Sequence, residues 1–275
     1  MRHKSLLRCA KALSVFLAVV LVLIVAIPGE ATGVSQPQYC SNLEELTSYM
    51  LEQLGAREQF ISVTIPDTMP EATANNPELF MQILRSDYGF VRWGYQGGAV
   101  RVSKKSGNTT FEYMIRYYTT KEQDDNARSL AAEIVDGWDL DGLTDRKKVD
   151  MLRDYVSDSW RYDESLENRS ADSTLATGIG TCLGQVLASQ LILDELGIAS
   201  QTVHGVIKGN VDEHILLLVN LGKWWYTFDP SDFSRDDPLI SAYLRQSYRG
   251  TFMPEAEYLT DSFKSAHPMS QSDLS

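Results

Sequence analysis

Hydrophobic positions along this chain change their spacing several times, and each change marks an element. In "SNLEELTSYMLEQLGA", Leu43, Leu46, Met50, Leu51 and Leu54 recur every three or four residues, which predicts a helix with Ser41 as N-cap and Gly55 as its stop. "QFISVTI" reads as a short strand, and "PELFMQILRSDYG" returns to helical spacing. "FVRWGYQGGAVRVSKKSGNTTFEYMIRYY" then alternates between glycine-marked turns, predicting strands. Two amphipathic helices follow in "KEQDDNARSLAAEIVDGW" and "RKKVDMLRDYVSDSWRYD", with Thr144 capping the second.

Beyond Gly178 the pattern becomes more apolar. Residues from about Thr181 to Leu196 form a helix stopped by Gly197, with Val186, Leu187, Leu191 and Leu193 giving it a face fit for the centre of a domain. "ASQTVHGVI", "DEHILLLVN" and "WWYTFDP" then read as three strands joined by the tight turns "KGN" and "LGK". The unbroken "ILLLV" marks a central strand.

The first 31 residues stand apart. Arg2, Lys4, Arg8 and Lys11 precede "ALSVFLAVVLVLIVAIP", and "GEA" ends on a small residue, the order of a secretory signal peptide cleaved after Ala31. Left uncleaved, the same segment is an N-terminal anchor. The expected organisation is therefore 1–31 as signal segment, 32–140 as an N-terminal α/β extension and 141–275 as the domain that carries the chemistry. Cleavage removes four basic residues and Glu30, so the net charge of −12 becomes −15. Such a balance excludes nucleic acid as a partner and keeps an exported protein soluble. Cys9 leaves with the segment, and two remaining cysteines, Cys40 and Cys182, are too few for a disulfide-built fold.

No cofactor or metal signature is present. The acids of "DGWDLDGLTDRKK" put Gly137 at the first ligand of a calcium loop and Lys148 where its glutamate belongs. The chain has no HExxH and no CxxC.

Cys182 lies in the first turn of the central helix. A lone cysteine on an apolar helix is ordinarily a small buried hydrophobe, yet here the unpaired amides and positive dipole of a helix N-terminus favour an anionic sulfur. Gly178, Gly180 and Gly184 keep the surroundings small enough for a substrate carbonyl to approach, with the Cys182 amide as an oxyanion donor. The strands that follow supply a base. A hairpin turning about Leu221–Gly222 pairs Asn220 with Lys223 and Val219 with Trp224, and so brings His214 opposite Asp229. Opposed residues share a face, with β-carbons about 4.5–5.5 Å apart, so the hairpin itself gives the histidine the carboxylate that fixes its tautomer. His204 gains no carboxylate by register and reads as structural. Trp224, Trp225 and Tyr226 read as packing.

Over residues 178–232, "GIGTCLGQVLASQLILDELGI" followed by "VHGVIKGNVDEHILLLVNLGKWWYTFDPSD" resembles the core of the transglutaminase-like superfamily. The resemblance implies an α+β, papain-like fold in which a central helix carrying the nucleophile packs on an antiparallel sheet. It places Cys182 on the family nucleophile, His214 on the general base and Asp229 on the orienting acid, with Tyr162 a candidate for the upstream oxyanion donor. Gln185 stands where many relatives carry an aromatic residue, a departure that bears on substrate preference.

The implied activity is cysteine-dependent acyl transfer on protein or peptide amides through a thioester, with an amine as acceptor in a transglutaminase or water in a protease or deamidase. The alternative is a non-catalytic transglutaminase-like binding module at the cell surface. Either way the expected partner is a protein or peptide, and the expected location is secreted or at the cell surface. Membrane contact would arise only through an uncleaved N-terminal segment.

Overall fold

The computed structural model describes residues 36–72, 76–86, 90–207, 213–231 and 252–270. The expected signal segment, the Lys208–Asn210 turn, the acidic loop beyond Ser231 and residues 271–275 lie outside them. Among the described residues no helix is long and apolar enough to cross a membrane. The chain divides into two compact units, Met1–Lys121 and Glu122–Ser275.

The first unit contains, in order, β1 (Gln38–Tyr39), α1 (Leu43–Gly55), β2 (Phe60–Pro66), α2 (Asn76–Ser86), α3 (Phe90–Gly94), β3 (Tyr95–Lys105) and β4 (Asn108–Tyr117). Its sheet runs β1-β2-β4-β3. Strand alternation explains the core: Ile61 pairs with Tyr113 and Val63 with Phe111 on one face, and these residues are buried together with Leu46, Met50 and Leu54 of α1.

Two expectations change here. The N-cap of α1 is Asn42, whose side chain accepts the Glu45 amide at 2.9 Å, while Ser41 donates instead to the Glu45 carboxylate at 2.7 Å. Residues 90–94, expected to begin a strand, form a helical turn. The guanidinium of buried Arg57 donates to the Phe90 carbonyl at 3.2 Å and fills the space a Cβ would need at Gly94, a long-range constraint that local periodicity does not carry.

The second unit contains α4 (Lys121–Asp136, whose first residue belongs to the first unit), α5 (Asp145–Ser159), β5 (Arg161–Tyr162), α6 (Ala171–Thr177), β6 (Ile179–Gly180), α7 (Cys182–Glu195), β7 (Ser200–Ile207), β8 (Glu213–Leu221), β9 (Trp224–Phe228), β10 (Phe252–Pro254) and α8 (Asp261–Ala266). Thr144 caps α5 as expected, accepting the Lys147 amide. An antiparallel sheet runs β10-β7-β8-β9. Leu216, Leu217, Leu218 and Val219 are all inaccessible, so β8 is covered on both faces, as its continuous apolar run requires. Val203, Ile207, Leu216 and Leu218 pack with Phe252, Tyr258 and Phe263.

Helix α7 is buried continuously from Leu183 to Leu193, which makes it an internal helix rather than one with a single apolar face. It packs against α5, α6, β7 and β8. The unit is thus an α+β domain with its most buried helix against an antiparallel sheet, and Cys182 is that helix's first residue.

Candidate active site

Three independent devices fix the start of α7. The Thr181 amide donates to the Asn168 carbonyl at 2.8 Å. The Thr181 side chain caps the helix by accepting from the Gly184 amide. Gln185, two per cent exposed, donates through its side-chain amide to the carbonyls of Arg161 and Gly180, both at 3.0 Å. It therefore staples the parallel β5–β6 pair beneath the first turn. Cys182 is partly exposed and carries a free thiol, as does buried Cys40.

His214, four per cent exposed, sits at the start of β8. Its Nε2 hydrogen-bonds the Asp229 carboxylate at 2.6 Å, which leaves Nδ1 open, and Cys182 is near enough to act on the imidazole as a polar and charged neighbour. An edge-on contact with Phe252, ring centroids 6.2 Å apart, bears on the imidazole. Burial works to lower the His214 pKa, but the hydrogen bonds and negative charge of Asp229 and Cys182 outweigh it and push the value up to about 10. Asp229 is fully buried. Its second oxygen accepts from the Ser231 amide at 3.2 Å and hydroxyl at 2.9 Å, so the whole carboxylate is held.

The His214–Asp229 contact forms in a register other than the expected one. Leu221 pairs with Trp224 and Leu217 with Phe228, around a two-residue Gly222–Lys223 turn. Extended one step, this register sets Asp229 opposite Leu216, two residues from His214. The slip is even, so Asp229 stays on the face of His214, and the pair forms diagonally instead of directly.

The glycines serve packing rather than substrate approach. Gly178 ends α6 in left-handed backbone (φ 70°). A Cβ at Gly180 or Gly184 would strike the Thr174 side chain, and at Gly184 also the Asn168 and Ser170 carbonyls. α6 and α7 therefore approach closely because these positions have no side chain.

A loop that local patterning does not reveal runs beside the backbone leading into Cys182. Asp163 is seven per cent exposed. Its carboxylate accepts from the Ser165 amide and hydroxyl, the Glu167 amide, and the Asn168 amide and side chain, at 2.6–3.1 Å. These bonds, the Ser165 hydroxyl's foremost, lower its pKa to about 2. At the loop's tip Leu166 adopts left-handed backbone (φ 63°) with 43% of its surface exposed. That conformation costs a non-glycine residue about 1–2 kcal/mol.

His204 does have carboxylate partners. Its Nδ1 meets Glu255 at 3.0 Å and its Nε2 lies 3.9 Å from Glu213. Glu255 follows β10 and lies outside the β7–β8 register, whereas Glu213 stands on β8 two residues from Ile215, the partner of His204, and so meets the histidine diagonally. Burial, partly offset by His204, raises the Glu213 pKa. Trp225 packs edge-on against His267 at 4.6 Å and donates its amide to Pro268, in keeping with a packing role. Tyr162 pairs with Gly180 across β5 and β6, which sets it beside the backbone that leads into Cys182.

Residues 128–230 match the family model of the Transglutaminase-like superfamily, and that span includes Cys182, His214 and Asp229. The chain thus carries a transglutaminase-like domain in its second unit. No curated protein matches it. Among solved structures, similarity extends to a TGase at 14% identity, covering 72% of this chain and 60% of the other with a TM-score of 0.36. A candidate cysteine protease from Cytophaga hutchinsonii is 13% identical, with coverages of 47% and 55% and a TM-score of 0.32. The periplasmic domain of TgpA from Pseudomonas aeruginosa, bound to ethylmercury, is 16% identical, with coverages of 46% and 56% and a TM-score of 0.28. The chain spans 60% or less of the length of each.

Proposed function

We propose that this protein is an exported cysteine acyl-transfer enzyme acting on protein or peptide amides, with Cys182 as nucleophile, His214 as general acid and base, and Asp229 as the acid that orients it. The observation that carries this reading is the position of one buried imidazole between two partners. Asp229 holds one ring nitrogen at 2.6 Å, and Asp229 and Cys182 together push the imidazole pKa up to about 10. Such an imidazolium is the counter-ion a thiolate needs near neutral pH.

In the reaction, the Cys182 sulfur attacks the carbonyl carbon of a glutaminyl side chain or a peptide bond, forming a tetrahedral oxyanion. The Cys182 amide, at the first position of α7 where no intrahelical acceptor exists, is placed to donate to that oxygen. Collapse of the intermediate breaks the C–N bond as His214 Nδ1 gives its proton to the leaving amine, and a thioester remains. His214, now neutral, takes a proton from an incoming amine or water. That nucleophile displaces the sulfur, yielding a new amide or an acid and restoring the ion pair. Asp229, held by Ser231, stabilises the imidazolium without taking its proton.

Export rests on the N-terminal sequence pattern. The test of the activity incubates the protein with a glutamine-containing peptide, with and without a primary amine, and follows ammonia release and amine incorporation by mass. Activity lost in Cys182→Ala supports the reading and shows which acceptor is used. A wild-type protein that reacts with neither glutaminyl nor peptide amides, while its thiol is unreactive, instead favours the binding module.

A further inference from the structure

The loop 163–168 is tied at both ends to the backbone leading into the nucleophile. The Asp163 amide donates to the Gly180 carbonyl at 3.0 Å, and the Asn168 carbonyl accepts the Thr181 amide at 2.8 Å. Gly180 and Thr181 are the two residues before Cys182. Within the loop, Asp163 gathers the five bonds described above, and the Leu166 amide donates back to the Asp163 carbonyl at 3.1 Å. A six-residue segment so closely cross-bonded is a fixed feature beside the backbone that enters Cys182, presented without the ordering cost a mobile loop would pay on binding.

Leu166 is the one apolar residue in it. Glu164, Ser165, Glu167 and Asn168 surround it in sequence, and Leu166 stands exposed on a backbone that glycine or asparagine would occupy more easily. Ile179, on the β6 strand that the loop embraces, is also exposed, at 42%. Solubility and local conformation both disfavour leucine at this tip, and packing within the domain leaves nearly half of it bare. Strained, solvent-facing positions of this kind gather at ligand-contacting sites.

We infer that Leu166 is a specificity contact of the Cys182 site, packing against an apolar side chain of the polypeptide substrate next to the amide under attack. Glu164 and Glu167 on either side turn away acidic segments, so the substrate class is a protein or peptide whose reactive amide is flanked by an apolar residue and lacks nearby acids. The inference rests on the acyl-transfer reading of the same site.

The experiment compares the alkylation of Cys182 by plain iodoacetamide with that by two N-substituted iodoacetamides, one carrying leucine amide and one carrying aspartic acid. Each rate is taken relative to plain iodoacetamide in the same protein. In the wild type the leucine reagent is expected to react about fivefold faster than the plain one, the gain that partial burial of one apolar side chain gives, and the aspartate reagent more slowly. In Leu166→Gly, which relieves the left-handed strain and so preserves the fold, the leucine preference is expected to fall to about one. In Leu166→Asn, which also suits that backbone, it should fall alike. A leucine preference that persists in both variants, or its absence from the wild type, overturns the inference. Failure of plain iodoacetamide to modify folded wild-type Cys182 overturns the acyl-transfer reading first and this inference with it.

Discussion

Two histidines on neighbouring strands of one sheet each meet a carboxylate, and only one of the two carboxylates is buried and held in place. His204 on β7 and His214 on β8 are one register step apart, since His214 pairs with Gly205. His204 meets Glu255 at 3.0 Å, but the Glu255 side chain is 45% exposed, and the far nitrogen looks toward a second acid, Glu213, at 3.9 Å. His214 meets Asp229 at 2.6 Å, both side chains are at most four per cent exposed, and its other strong neighbour is Cys182, which with Asp229 raises its pKa. A carboxylate near a histidine is therefore a common outcome of sheet geometry. What sets His214 apart, and what the proposed general base requires, is a carboxylate that is itself immobilised, here by Ser231.

The largest expected effect separates the two histidines directly. His214→Ala should reduce amide turnover by about a thousandfold or more, as loss of a triad base does. His204→Gln should stay within about threefold, with both read as kcat/KM on one glutaminyl peptide. Comparable losses in the two variants would erase the distinction. Asp229→Asn comes next, at about a hundredfold to ten-thousandfold in kcat, because an amide leaves the imidazole without its counter-charge and in the wrong tautomer.

The pH dependence of stability sharpens the comparison further. The His214 pKa is raised above its ordinary 6.5 to about 10, so its contribution is complete below about pH 6.5 and is lost as pH rises through 10. The Asp163 pKa is lowered from 3.8 to about 2, so its contribution is present above about pH 4 and disappears as pH falls toward 2. Urea midpoints should fall between pH 7 and 10 in the wild type and less so in His214→Gln, with the acid-side fall reduced in Asp163→Asn. A wild-type alkaline profile no steeper than that of His214→Gln would contradict the assigned coupling. The smallest effect belongs to Ser231→Ala. Loss of one hydroxyl on Asp229 removes about 1 kcal/mol, hence a roughly fivefold drop in kcat with KM unchanged.

Parity explains why the His214–Asp229 contact was legible in the sequence although its register was not. The Gly222–Lys223 turn slides the strands by two residues, which changes every partner and no face. The helix that Cys182 begins was legible for a similar reason, since an apolar run with a threonine before it and a glycine behind it marks its own ends. What stayed hidden depends on contacts distant in sequence or on backbone amides, which look alike in any sequence. The five donors to Asp163 include three main-chain groups. Gln185 bonds two carbonyls, and Glu255 reaches His204 from 51 residues away. Gly180 and Gly184 invited a reading as open space at a site, whereas Thr174 fills that space.

Cys40 supplies an internal reference for the most direct test. It is one per cent exposed, and burial, with Glu45 adding to it, raises its thiol pKa, so it should resist modification in the folded protein. The measurement is the rate of iodoacetamide alkylation at Cys182 and Cys40, scored separately by peptide mass from pH 5 to 9, in the wild type and in His214→Ala. The expected result is rapid modification of Cys182 alone, already at pH 6, and loss of that acid-side reactivity in the variant. Modification of Cys182 that is equally slow in both proteins, or that occurs only after denaturation, would contradict the Cys182–His214 pair as a catalytic one.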